Sequence, residues 1–166
     1  MSVTTTAKSR RRPALAVVAA LVFCCGLPLS MSSAAAAGNC GHGPGSECTN
    51  NGSHIVVSPF KGLVNGQMVT VRGTGFIPNG GIDAEMCAAV VHSQKACDIN
   101  TAQTGPPANA SGAFFGFKFK VTKVITIGTG RTITCNSTGN CSIGVIAAAD
   151  INSSNPHSAN EDIGFK

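Results

Sequence analysis

The chain has 166 residues, with 12 Lys and Arg against 7 Asp and Glu, and it contains neither Trp nor Tyr. Four of the basic residues lie in a leader that we predict to be removed, which leaves eight basic and seven acidic residues. A nearly neutral chain argues against a strongly cationic nucleic-acid binder, because phosphate contacts need clustered Lys and Arg. An apolar, weakly charged composition also argues against disorder, and the length suits one domain.

The first 37 residues have the layout of a secretory signal peptide. A positive segment, Lys8 to Arg12, precedes an uninterrupted apolar run at 14–25 and small residues at 32–37. Twelve helical residues span about 18 Å, which is short of the ~30 Å hydrocarbon core, so a membrane anchor is disfavoured. We predict cleavage after Ala37, a secreted bacterial protein, and no membrane partner after cleavage.

Export determines how the cysteines are interpreted. Cys24 and Cys25 leave with the leader, and six cysteines remain. An even number in an exported chain implies disulfides, although six cysteines allow 15 pairings. Proximity in the sequence suggests three short links: Cys40–Cys48, Cys87–Cys97 and Cys135–Cys141.

A metal site is the rival interpretation of the first two of these cysteines. Cys40, His42, Cys48 and His54 could form a Cys₂His₂ cluster. Their C-x-H and C-x5-H spacings match no common zinc pattern, and disulfides prevail outside the cell. We therefore predict no metal and no cofactor.

The mature chain is predicted to be built from short strands. Residues 38–53 are rich in Gly, Asn and Ser, show no apolar periodicity, and predict a cystine-tied extension before a domain at 54–166. The stretch at 97–111 is polar and contains two consecutive prolines, so no regular structure is predicted there. The predicted strands are 55–57, 68–72, 82–91, 112–121, 124–127, 132–135, 141–147 and 163–165.

The clearest of these strands is 112–121. Strict alternation predicts one face that carries Phe114, Gly116, Lys118 and Lys120. The two lysines are predicted to point to solvent. The other face is predicted to pack in the core, and it carries Phe115, Phe117, Phe119 and Val121.

The whole pattern predicts an all-β chain. No window of twelve residues shows a helical stripe of apolar residues. Seven or eight short strands, with turn residues about every ten positions, are typical of a β-sandwich.

Several local motifs occur in a defined order along this framework. They are Val57-Ser58-Pro59 with Gly62-Leu63, the segment Asn65 to Phe76, Met86-Cys87-Ala88 with Cys97-Asp98 ten residues later, Ala110-Ser111-Gly112, Thr134-Cys135, and Cys141 to Gly144. In this order and spacing they resemble the neocarzinostatin family of secreted actinobacterial apoproteins. The resemblance covers about residues 55–166.

This resemblance implies a seven-stranded Ig-like barrel with a smaller two-stranded lobe, stapled by Cys87–Cys97 and Cys135–Cys141. It also implies a non-catalytic carrier that holds an enediyne chromophore in a cleft between barrel and lobe. Antibacterial and DNA-damaging activity would then arise through the cargo, without direct nucleic-acid contact, and we expect a monomer. The ligand-binding residues implied are Met86, Cys87, Ala89, Lys95, Cys97, Ser142, Gly144 and Ile146.

The chain also departs from the family pattern. Ala89 stands where the family's carriers have an aromatic residue, and Lys95 stands where an aliphatic residue is expected. These departures favour a small apolar cargo of more aliphatic character. Its predicted lining is Met86, Ala89, Ile143, Val145 and Ile146.

Two other functions are weighed against the carrier. The alternative is an exported Ig-like structural or adhesion module that keeps the fold without a cargo. An enzyme is disfavoured because no Ser/His/Asp constellation has useful spacing. Asp83 and Glu85 share one strand face, but paired acids on an edge strand are more often solvated than catalytic.

Overall fold

The computed structural model describes residues 45, 47–88 and 96–166. The predicted leader, Cys40 and His42, and residues 89–95 lie outside the described residues. Within the described ranges, no helix has the length and apolar character needed to cross a bilayer.

The regular secondary structure of the described chain is almost all strand, as predicted. A 3-10 helix covers Ala148–Asp150. The strands are β1 Glu47–Asn50, β2 His54–Ser58, β3 Met68–Thr74, β4 Ile82–Ala88, β5 Cys97–Thr104, β6 Phe114–Lys120, β7 Val124–Thr126, β8 Thr132–Thr134, β9 Cys141–Ala147 and β10 Ser158–Ile163.

The strands form two packed layers and a small lobe. One layer is a five-stranded sheet in the order β1-β10-β9-β4-β5, and the other is a three-stranded sheet in the order β2-β3-β6. Strands β7 and β8 pair only with each other in a two-stranded ribbon. All of these pairings are antiparallel. The seven-stranded sandwich with its two-stranded lobe is thus confirmed, and β1 adds an eighth strand at one edge.

That eighth strand, β1, lies within residues 38–53, the predicted extension, where the sequence shows no apolar periodicity. β1 pairs with β10, with Cys48 opposite Asn160 and Thr49 opposite Ala159. A polar segment without periodicity can still form an edge strand, because backbone hydrogen bonds to β10 need no particular side chains.

An apolar core fills the space between the two sheets. Alternate residues of β2, β3, β4 and β9 point inward, as the period of a β-strand requires. Burying each large apolar side chain here contributes roughly 1.5–3 kcal/mol. The inward residues include Ile55, Val57, Val69, Val71, Ile82, Ala84, Met86, Phe119, Ile143 and Val145.

The phenylalanines of β6 depart from the predicted alternation. Phe117 and Phe119 lie in the core as predicted, but Phe114 is buried with them. Phe115, predicted to pack in the core, points to solvent with 64% of its surface exposed. The prediction was wrong at these two adjacent positions.

A β-bulge explains the exchange. Val71 lies opposite Phe117 and Gly73 opposite Phe114, so two steps along β3 match three steps along β6. The extra residue breaks the alternation at Gly116, whose φ of 69° lies in the left-handed region that favours glycine.

Side chains join the two sheets along both sides of the sandwich. On one side, Gln103 of β5 donates to the Lys120 carbonyl at 3.1 Å and accepts from the Lys120 amide at 3.0 Å. On the other side, the Val57 amide donates to the buried Glu161 carboxylate at 2.5 Å, which links β2 to β10. These bonds satisfy backbone groups at sheet edges that would otherwise be left open.

Two further predictions are corrected by the topology. The first eight residues of the polar stretch 97–111 form a regular strand, β5, and the prolines follow only after Gly105. β5 is an edge strand with half of its side chains exposed, so polar residues fit it. β4, which carries the paired acids, lies between β9 and β5 and is not an edge strand.

Candidate functional site

A cleft opens on the outward face of the five-stranded sheet, beside the two-stranded ribbon. Its volume is ≈ 440 Å³, within the range of about 300–1,000 Å³ that is typical of small-molecule sites. Strands β4, β5 and β9 supply its floor, and the ribbon and the segment after the 3-10 helix supply its walls. The lining residues are Asp83, Ala84, Glu85, Cys97, Ile99, Ala102, Thr126, Gly128, Ile146 and Ile151.

A disulfide lies at the floor. Cys87 and Cys97 face each other in the β4–β5 register and are bonded, as predicted. Gly144 of the neighbouring strand has no side chain, and a Cβ there would lie 2.8 Å from the Cys87 Sγ. Glycine at this position therefore lets the backbone of β9 pass directly against the disulfide.

A buried carboxylate fixes the ribbon beside the sheet. Asp98 of β5 accepts a hydrogen bond at 2.7 Å from the backbone amide of Thr126 in β7. Its other oxygen accepts two bonds at 3.0 Å, from the backbone and side-chain nitrogens of Asn100. Since the carboxylate is satisfied on both oxygens, it holds one wall of the cleft at a defined position.

The second disulfide anchors the other end of the ribbon. Cys135, which follows β8, is bonded to Cys141 at the start of β9, as predicted. Both cysteines are fully buried, and Ile125 of the ribbon is buried as well. The lobe is therefore tied to the sandwich at both of its strands.

The polar groups of the cleft come from β4. Asp83 accepts a hydrogen bond at 2.9 Å from the Thr104 hydroxyl. Glu85 is half-buried, and no described residue donates a hydrogen bond to its carboxylate. Burial raises the pKa of Glu85, and the negative charges of Asp98 and Asp83 raise it further.

The Glu85 carboxylate also lies within 4.8 Å of the sulfur atoms of Cys87 and Cys97. One carboxylate and two cysteine sulfurs at these distances have the spacing of metal ligands, but not the chemistry. The two sulfurs are bonded to each other, and a disulfide offers no thiolate, which is the form of cysteine that binds metals.

A hydrogen-bonded loop positions the remaining wall. Asp150 accepts bonds from the backbone amide of His157 at 2.8 Å and from its ring Nδ1 at 2.7 Å. These bonds lower the pKa of Asp150. They close the loop that carries Ile151, a lining residue, from the 3-10 helix back to β10.

The structure brings together some of the residues predicted to bind ligand. Cys97 and Ile146 line the cleft, with Cys87 and Gly144 at its floor. Met86 lies in the core, because it alternates with Glu85 along β4 and points to the opposite face. Ala89 and Lys95 lie outside the described residues.

The same alternation separates the other predicted lining residues on β9. Ile143 and Val145 are core residues, whereas Gly144 and Ile146 belong to the cleft face. Ser142 shares that face by position but is fully buried, and no described residue forms a hydrogen bond with its hydroxyl. An aliphatic lining is present, but it is supplied largely by other residues.

Those other residues are ones that the sequence analysis missed. Ile99 and Ala102 lie on β5, in the stretch predicted to be irregular. Thr126, Gly128 and Ile151 come from the ribbon and from the loop before β10. No clean alternation marks β5 in the sequence, because Ala102 has the same strand parity as Asp98 and Asn100.

Comparison with known proteins agrees with this architecture. The model of the Neocarzinostatin family matches residues 55–160, which is more than half of the chain. The chain belongs to the neocarzinostatin family. Among solved structures, macromomycin is 28% identical with a TM-score of 0.52, and the match covers 69% of this chain and 99% of macromomycin.

A second member of the comparison is apokedarcidin, known from an NMR solution conformation. It is 23% identical with a TM-score of 0.45, and the match covers 69% of this chain and 98% of apokedarcidin. No curated protein matches the chain.

Proposed function

We propose that this member of the neocarzinostatin family is a secreted, non-catalytic carrier that holds a small apolar molecule in the cleft beside Cys87–Cys97. The observation that carries the proposal is the cleft itself, ≈ 440 Å³ in volume and lined mainly by Ala, Ile and Gly. The leader supports export, and the family match supports the role of a carrier.

The lining favours an aliphatic cargo with one polar group. None of the described lining residues is aromatic, so stacking of a flat ring against the wall contributes little. A few polar groups in an apolar pocket usually fix a ligand's orientation. Asp83 and Glu85 would do so by accepting hydrogen bonds, so the cargo would place a donor group toward β4.

The chemistry of the cleft suits storage of a reactive molecule. Cys87, Cys97, Cys135 and Cys141 are in disulfides, and no lysine is among the described lining residues. Free thiolates and unprotonated amines are the side chains that attack electrophiles most readily. A cargo in this cleft would therefore face no strong nucleophile from the described walls.

Native mass spectrometry tests this function. The exported protein is incubated with a hydrophobic extract of the producing culture and compared with two variants. Ala102→Trp places a large ring inside the cleft, while Ala110→Trp places the same ring on an exposed turn before β6. We expect one retained small molecule for the wild type and for Ala110→Trp, and none for Ala102→Trp.

A protein mass without ligand after broad screening would overturn the carrier function. It would favour the exported Ig-like module that has kept the fold without a cargo. Equal retention by both tryptophan variants would place the ligand elsewhere and would also contradict the proposal.

A further inference from the structure

The two sheets carry opposite charges. The five strands of the larger sheet contain six Asp and Glu residues and no Lys or Arg. The three strands of the smaller sheet contain no Asp or Glu, and their charged residues are Arg72, Lys118 and Lys120. The mature chain is nearly neutral as a whole, so this separation is invisible in its net charge.

The cations lie together on the outward face of the smaller sheet. Lys118 lies opposite Thr70 in the β3–β6 register, and its ammonium donates to the Thr70 hydroxyl at 2.6 Å. Lys120 lies opposite Met68. Arg72, on the same face of β3, lies opposite Val56 of β2. No carboxylate from these three strands neutralises the face.

Large apolar side chains share this face with the cations. Val56, Met68 and Phe115 are 45%, 51% and 64% exposed. A groove of ≈ 230 Å³ runs between Val56, Arg72 and Phe115. The bulge at Gly116 leaves Phe115 pointing outward while the neighbouring Phe114 fills the core, so the exposed ring contributes little to the packing of the sandwich.

We propose that this face, defined by Val56, Met68, Arg72, Phe115, Lys118 and Lys120, docks peripherally on an anionic lipid bilayer. Cations near such a surface pair with lipid phosphates, and apolar side chains enter the boundary between headgroups and acyl chains. The three exposed apolar side chains favour a bilayer over a nucleic acid. A nucleic-acid interface would use the cations, but it would offer Val56 and Met68 no apolar environment.

This docking mode departs from the prediction of no membrane partner after cleavage, because the separation of charge is visible only once the strands are assigned to sheets. It also leaves the cleft accessible. The cleft opens on the outward face of the five-stranded sheet, and the docking face is the outward face of the other layer. A docked chain could therefore exchange a cargo on its solvent side.

Vesicle co-sedimentation tests the proposal on the exported protein. Vesicles of equal parts phosphatidylglycerol and phosphatidylcholine are compared with vesicles of phosphatidylcholine alone. We expect binding to the anionic vesicles to be at least about tenfold stronger, and to weaken as salt shortens the Debye length.

Variants locate the binding face. Each cation near an anionic surface strengthens binding about fivefold, so replacing Arg72, Lys118 and Lys120 together with Ala should weaken it about 100-fold. The control Arg131→Ala removes one positive charge from the β7–β8 hairpin and should change binding less than twofold. Phe115→Ala should weaken it about tenfold at unchanged thermal stability, since its ring is exposed.

Several results would overturn the proposal. Equal binding to neutral and anionic vesicles would show that charge is not used. Unchanged binding by the triple variant would place the contact on another surface. Binding to a duplex oligonucleotide without binding to anionic vesicles would identify the face as a nucleic-acid interface instead. None of these results depends on whether the cleft holds a cargo.

Discussion

Two adjacent phenylalanines of β6 test the bulge directly. Phe114 is 1% exposed, and its ring lies 5.3 Å from that of Phe76 in an edge-to-face contact. Gly73 lies against the same ring, so closely that a Cβ there would be 2.4 Å from Phe114 Cε1. Because glycine has no side chain to fill the vacated space, Phe114→Ala should leave a cavity and lower the free energy of unfolding by about 3–5 kcal/mol.

The same substitution one residue later serves as the matched control. Phe115→Ala removes an equal number of atoms from a mostly exposed side chain, so it should change the free energy of unfolding by less than about 0.5 kcal/mol. Urea unfolding of the oxidised protein measures both values. The unfolding is followed by far-UV circular dichroism, because the chain has no Trp or Tyr whose fluorescence could report it. A larger loss for Phe115→Ala than for Phe114→Ala would restore the strict alternation and refute the bulge.

Three further predictions concern the cleft and its walls. Because the pKa of Glu85 is raised in the folded state, the free energy of unfolding should fall as pH rises above the ordinary pKa of a glutamate. Glu85→Gln should therefore raise the free energy of unfolding at pH 7 but not near pH 3. Because the pKa of Asp150 is lowered in the folded state, the stability that its carboxylate contributes should be lost as pH falls below the ordinary pKa of an aspartate. Asp150→Asn should therefore lower the unfolding temperature at pH 7 and leave it unchanged near pH 2, and equal losses at both pH values would count against the His157 contact. Gly144→Ala should cost about 1–3 kcal/mol in urea unfolding, because the new Cβ would meet Cys87 Sγ at 2.8 Å and Asn160 Oδ1 at 2.7 Å, and an unchanged midpoint would contradict this packing.

Local patterns in the sequence were sufficient for the sandwich. The alternation of Val69 and Val71, and the short spacing of Cys87–Cys97 and Cys135–Cys141, predicted features that the structure confirms. These features depend on neighbours along the chain, which a sequence shows directly.

Features that depend on a partner strand were not predictable in the same way. The bulge in β6 exists only relative to the register of β3, and the sequence alone shows an unbroken alternation through Phe115. β4 could be recognised as an interior strand of its sheet only once β5 was known to be a strand.

The cleft was the least predictable part. Its floor follows from the cystine and from Ile146, but Met86, which the resemblance places in the cleft, has the opposite strand parity to Glu85 and points into the core. Thr126 is held at the cleft by a hydrogen bond to Asp98, which lies 28 positions earlier in the chain. Ile151 is held there by a loop that the hydrogen bond between Asp150 and His157 closes. No sequence period records such contacts.

Titration of the ¹⁵N-labelled exported protein with Nile red, a neutral apolar dye, tests the cleft most directly. If a small apolar molecule binds beside Cys87–Cys97, saturable shifts should appear at the backbone amides of Glu85, Ala102, Thr126 and Ile146, and they should vanish in Ala102→Trp. Shifts confined to β2, β3 and β6, or no saturable shift at dye concentrations up to its solubility, would contradict a binding cleft at this position.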